Sequence, residues 1–138
     1  MAKLLLVDSK AKSRLGWLDA LRDSHVIDVV QPGELPVRRV RSVRPDAVLL
    51  STASGSLEET LRWCRIIKTD SAHPPVVGVI DPRGRIRDRD RAMKSSMIDG
   101  LFRGLGPMDE RRRFVDELLS GEGGLVIEHP VIGWRRWI

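Results

Sequence analysis

Arg44-Pro-Asp-Ala-Val-Leu-Leu-Ser-Thr52 reads as a short apolar strand that runs out into a polar turn. Pro45 pushes Arg44 out of the right-handed helical region, so a preceding helix must stop there. Ala47, Val48, Leu49 and Leu50 form an unbroken apolar run, too short for a helix and typical of a strand buried on both faces. Ser51 stands where this strand leaves the sheet. In open parallel α/β sheets, ligands and chemistry gather beyond the carboxyl ends of the strands, so Ser51 and its neighbours carry the functional question.

Upstream, Lys3 to Val7 is a buried-type strand ending at Asp8, and Asp8 or Ser9 is placed to cap the helix that follows. The apolar stripe of that helix reads as Ala11, Leu15 and Leu18, with Trp17 and Leu21 flanking it. His25 to Val30 is a second strand, Gln31-Pro-Gly-Glu34 a turn, and 35–43 a basic helix with Val37, Val40 and Val43 inward. Downstream of Ser51 comes a helix over 57–68, with Leu57, Leu61, Cys64 and Ile67 on its inner face. Val76 to Ile80 is the fourth strand, Asp81-Pro-Arg-Gly84 a turn, and 86–95 a short charged helix. The fifth strand is centred on Leu101-Phe102. The last helix spans 107–120, opening on Pro107 where the missing donor costs nothing and burying Phe114, Val115, Leu118 and Leu119.

Five strands alternating with five helices predict an α/β fold: a five-stranded parallel sheet, order 2-1-3-4-5, with helices on both faces, over residues 1–120. Residues 121–138 form a C-terminal extension, with Gly121-Glu-Gly-Gly124 as a hinge before an apolar tail that includes Trp134 and Trp137. Such a tail is expected to pack back on the domain or to meet a partner.

The 138 residues, 41% apolar and 31% charged, describe one globular domain with no bilayer-spanning run and no signal peptide. A single cysteine, Cys64, excludes an internal disulfide, fits a reducing cytoplasm, and falls on an apolar helix stripe as a core residue. The net charge of +5 favours acidic partners, nucleic acid among them, although 19 acidic residues dilute it. His25, His73 and His129 show no ligand spacing, so neither a metal nor a cofactor is expected.

Residues 3–120 resemble the response-regulator receiver domain. The resemblance rests on Leu-Leu-Leu-Val-Asp8, Arg14, Arg44-Pro-Asp-Ala-Val-Leu-Leu50, Pro75-Val-Val-Gly-Val-Ile80 and Ile98-Asp-Gly-Leu-Phe102, in that order and at suitable spacing. It implies a flavodoxin-like fold and a role in bacterial two-component signalling. Receivers accept a phosphoryl group on an aspartate after the third strand, with an acidic pair holding magnesium and a lysine neutralising the product.

Here the resemblance places Ser51 at the acceptor and leaves Asp8 with Ser9 as the acidic pocket. It places Ile80 at the hydroxyl position, Leu101 at the switch aromatic and Gly104 at the lysine. A serine hydroxyl is a poor nucleophile without a base, and one carboxylate is a thin cage for a hard cation. The expectation is a degenerate receiver: a non-catalytic signalling or scaffolding domain that works by protein contact, without aspartyl phosphorylation. Asp8 then serves as a remnant ligand or simply as a cap, and Asp81-Pro82 as the opening of a turn. The Ser51–Ser56 turn is either an anion cradle or a polar loop with Ser54 or Ser56 as helix cap.

Arg83, Arg85, Arg87, Arg89 and Arg91, with Arg111, Arg112 and Arg113, are expected near the edge built by the fourth helix, fifth strand and fifth helix. With Trp134 and Trp137 they form a candidate surface for an acidic protein partner or a second copy, since arginine and tryptophan dominate binding hot spots. The alternatives are a solvated helix face, or a nucleic-acid-binding edge.

Overall fold

The computed structural model describes residues 1–121 and 123–129. The strands are β1 (Lys3–Val7), β2 (Val26–Val29), β3 (Ala47–Ser51), β4 (Val76–Asp81), β5 (Gly100–Arg103) and β6 (Leu125–Glu128). The helices are α1 (Ala11–Leu21), α2 (Pro36–Val43), α3 (Leu57–Thr69), α4 (Arg89–Ser95) and α5 (Met108–Leu119), with a 3-10 turn at Thr52–Ser54. All pairings are parallel, in the order β2-β1-β3-β4-β5-β6.

The expected order 2-1-3-4-5 holds for the first five strands, but the sheet has six strands, not five. Residues 125–128, assigned from sequence to the C-terminal extension, join the sheet beside β5 with Gly100 opposite Leu125 and Arg103 opposite Glu128. An edge β5 would leave a row of backbone donors and acceptors unpaired, and a second parallel strand satisfies them. Gly121, Gly123 and Gly124 supply the left-handed residues (φ 80°, 65° and 67°) that bring the chain round from α5 into β6. Trp134 and Trp137 lie outside the described residues.

Alternation along the strands sends side chains to two cores. Leu4, Leu6, Leu49, Ile80, Phe102 and Ile127 meet Trp17 and Ala20 of α1 and Phe114 and Leu118 of α5. Leu5, Val48, Leu50, Val79 and Leu101 meet Val40, Cys64, Ile67 and Ala92 on the opposite face. Three aromatic rings lock the first core: Trp17 and Phe102 lie 5.1 Å apart edge-to-face, Phe102 and Phe114 5.4 Å.

Two local expectations are corrected. The inner face of α1 is Trp17, Ala20 and Leu21, whereas Leu15 is 55% exposed. The large indole packs against Phe102, and that sets the helix phase in place of the smaller aliphatics. α4 starts at Arg89, capped by the Asp88 side chain on the Arg91 amide, while Ile86 is buried in the irregular segment before it. Arg44 takes φ 52°, ψ 61°, a left-handed stop to α2 just before Pro45.

Candidate functional site

The carboxyl ends of β1 and β3 bring Asp8, Ser9 and Ser51 to one cleft of about 340 Å³, whose lining also includes Arg14, Ser54 and Glu59. Asp8 is buried, and its two oxygens are engaged within the chain. Oδ1 accepts the Lys10 amide (3.0 Å) and Oδ2 accepts the Ser13 hydroxyl (2.6 Å), closing the entry to α1. Burial pushes the Asp8 carboxyl above its ordinary range, partly offset by the Ser13 and Lys10 hydrogen bonds and by the Arg14 and Lys10 charges. Ser9 is turned to the 3-10 turn after β3: its amide donates to Ser54 Oγ (2.9 Å) and its hydroxyl to the Ser54 carbonyl (3.4 Å).

Ser51 is buried, and its Oγ accepts the Ala53 amide at 3.2 Å, capping the 3-10 turn. The remaining hydroxyls of this turn are also engaged. Ser54 Oγ donates to the Val7 carbonyl (3.3 Å), and Ser56 Oγ caps α3 through the Glu59 amide (3.0 Å). Arg85 takes the carbonyls of Thr52 (2.6 Å) and Gly55 (3.1 Å). The turn therefore presents carbonyls already held by a cation, and its side chains act as caps.

Sequence reading gave Asp81 only a turn-opening role, and the structure makes it the hub of the sheet's upper rim. Fully buried, it accepts the Thr52 hydroxyl (2.9 Å) and the Arg85 amide (2.9 Å) on Oδ1 and the Ile86 amide (2.9 Å) on Oδ2. Three donors compensate a carboxylate that would otherwise be costly to bury, and they tie the end of β3 to the segment after β4. The Asp-Pro dipeptide signalled a turn; nothing local signalled Thr52 as a partner 29 residues away.

The other positions singled out from the sequence lie elsewhere. Leu101 is fully buried in the core beneath α3 and α4, on the face away from α1. Ile80 and Gly104 line a second, larger cleft of about 970 Å³, apart from Asp8 and Ser51. Gly104 adopts φ +88°, and a Cβ there would lie 2.5 Å from the His129 carbonyl oxygen. A side chain at this position is thus incompatible with the path of the chain leaving β6. That path is fixed by the His129 amide on the Arg103 carbonyl (2.7 Å) and by Glu128 against Arg89 (2.7 Å) and Arg103 (3.6 Å).

A magnesium ion of the kind receivers use does not fit these residues. Asp8 accepts on both oxygens from its own chain, Ser9 faces Ser54, and Asp81 is fully buried with three donors upon it. Among the described residues no group of three or more His, Cys, Asp or Glu is arranged to hold a metal. Cys64 is buried, and desolvation pushes its thiol up to about 12. Among the described residues no helix is long and apolar enough to cross a membrane.

The arginines do not share one edge. Residues 111, 112 and 113 are each turned about 100° from the last around a helix, and they separate accordingly. Arg111 lies over the Trp17 ring (5.1 Å), Arg112 donates to the Ala20 carbonyl on α1 (2.9 Å), and Arg113 is near Glu117 (3.6 Å). Arg89 is engaged by Glu128, and Arg85 by the 3-10 turn. Arg83, Arg87 and Arg91 are exposed and outside any ion pair among the described residues. β6 covers the outer side of β5, so the expected edge becomes one of α4, β6 and α5.

No family model matches the chain, and no curated protein is recognisably similar to it in sequence. Solved structures are similar to it in fold. The N-terminal domain of the nisin resistance regulator NsrR, a lantibiotic response regulator, superposes with a TM-score of 0.73 at 12% identity over 86% of this chain and 98% of that one. The chemotaxis response regulator CheY4 of Vibrio cholerae gives 0.72 at 13% identity, over 86% and 98%. NtrX from Brucella abortus gives 0.74 at 20% identity, over 87% of this chain but only 28% of NtrX. The chain has the receiver-domain fold.

Proposed function

From that fold, we propose that the protein is a pseudo-receiver: a non-catalytic signalling or scaffolding domain that acts by protein contact and does not undergo aspartyl phosphorylation. The observation that carries this reading is the state of the Asp8–Ser51 cleft. Its acceptor position is a buried serine capping its own turn, and its one remaining acidic ligand is occupied by Ser13 and Lys10. Gly104, at the lysine position, excludes any side chain while β6 is docked. Incubation with labelled acetyl phosphate and magnesium is expected to leave the chain unlabelled by autoradiography and intact mass. Stable incorporation would overturn the reading.

The partner-facing surface is proposed as the exposed side of α4 with its neighbours β6 and α5, where Arg87, Arg91 and Arg113 are exposed. Such a surface suits an acidic protein or a second copy of the chain. A nucleic-acid partner is a second reading, supported by Arg83, Arg87, Arg91 and Lys94, all exposed and free of ion pairs among the described residues. Retention on DNA or RNA that falls steeply with salt supports it, and no retention at low salt removes it.

A further inference from the structure

The cleft of about 970 Å³ between the start of α1, the turns after β3 and β4, and the loop after β5 has an unusual charge. Lys10, Lys12, Arg83, Arg85 and Arg111 line it, and among the described residues no aspartate or glutamate does. None of these five side chains lies within 4 Å of a carboxylate among the described residues, although Arg22, Arg39, Arg41, Lys68, Arg89, Arg103 and Arg113 elsewhere all do. Asp8 and Asp81, whose oxygens accept amides and hydroxyls, are not part of this lining, and although the Asp8 charge acts on Lys10, the cleft keeps an excess of positive charge among the described residues.

We propose that this cleft binds a phosphorylated small molecule carrying two or more negative charges. Converging like charges repel one another, and an anion placed among them turns that repulsion into attraction in a recess where water screens less well. Arg111 is the best-placed contact. Its guanidinium rests over Trp17 and uses Nε on the Gly106 carbonyl (3.0 Å), which leaves its terminal amines for a forked contact with phosphate oxygens. Partial burial lowers the Arg111 pKa, the mark of a cation that has lost water without gaining a counter-ion. Arg83, Lys10 and Lys12 are exposed at the mouth. Ile80, Phe102 and Leu105 give the cleft apolar lining as well, and its volume suits an organic phosphate of nucleotide size. This binding is non-covalent, and it does not involve Ser51 or the 3-10 turn hydroxyls.

The test is calorimetric titration of the full chain with pyrophosphate and, separately, with ATP, at about 150 mM salt. One saturable site is expected for at least one probe. Equal affinity for the two identifies phosphate as the whole determinant, and tighter ATP binding shows that the organic body also contacts the cleft; both support the proposal. The double variant K12E/R83E alters exposed residues and is expected to keep the wild-type circular dichroism spectrum while weakening binding roughly tenfold or more. Charge reversal outside the cleft, in R38E/R87E, is expected to leave affinity within about twofold of wild type. Absence of saturable binding to either probe, or equal weakening in the two double variants, would overturn the proposal, the second because it would reduce the effect to overall charge.

Discussion

At the scale of single residues, Asp8 is an acidic side chain engaged within its own chain. Its carboxylate is buried, hydrogen-bonded and held above its ordinary value of 3.8 by desolvation. A raised carboxyl pKa means that the folded state favours the protonated form. The corresponding stabilisation is complete below about pH 3.8 and is lost as pH rises through the raised value. At neutral pH, Asp8→Asn removes the desolvated charge but can still accept the Lys10 amide and donate to the Ser13 hydroxyl. Thermal melts are expected to place Asp8→Asn about 2–5 °C above wild type at pH 7, with the difference gone near pH 3. A variant less stable than wild type at pH 7 would mean that the Arg14 and Lys10 charges outweigh desolvation. That a serine, Ser51, closes the third strand was legible, because residue type and strand position suffice for that. The hydrogen bonding of Asp81 was not, because one of its three donors, Thr52, lies 29 residues away in the chain.

At the scale of elements, α5 packs against β4 and β5 through two glycines that face each other across the strands, Gly78 and Gly100. A Cβ at Gly100 would lie 2.8 Å from Leu118 Cδ1 and 3.1 Å from Phe114 Cε1; at Gly78 it would lie 2.9 Å from Leu118 Cδ2. Either Gly→Ala substitution must displace the Leu118 side chain or the helix that carries it, and urea unfolding is expected to show a loss of about 1–3 kcal/mol for each. Since both press on Leu118, the double variant should lose less than the sum. Full additivity would show that the helix does not move as one body. The stripes of α3 and α5 were readable because their apolar residues recur at helical spacing, whereas of the three α2 valines only Val40 reaches the core. The stripe of α1 was misread because its phase is set by Trp17 packing edge-to-face on Phe102, 85 residues along the chain (102 minus 17).

At the scale of the molecule, the sixth strand and the glycine after β5 belong together. β6 occupies the outer side of β5, and its exit places the His129 carbonyl where a side chain at position 104 would begin. Gly104→Ala adds both this clash and the strain of a non-glycine residue at φ +88°, together about 2–3 kcal/mol. Hydrogen exchange is expected to quicken at the amides of residues 125–128, with protection in β3 unchanged. Wild-type protection in β6 would show that the strand is held independently of this glycine. Alternating apolar strands and helices and the order of the first five strands were determined by sequence alone, because they follow from local periodicity and short right-handed connections. The sixth strand, the buried Asp81 hub, the parting of the arginines and the basic cleft were decided only by tertiary structure. Each depends on which distant groups share a hydrogen bond or a recess, and no local pattern encodes that distance.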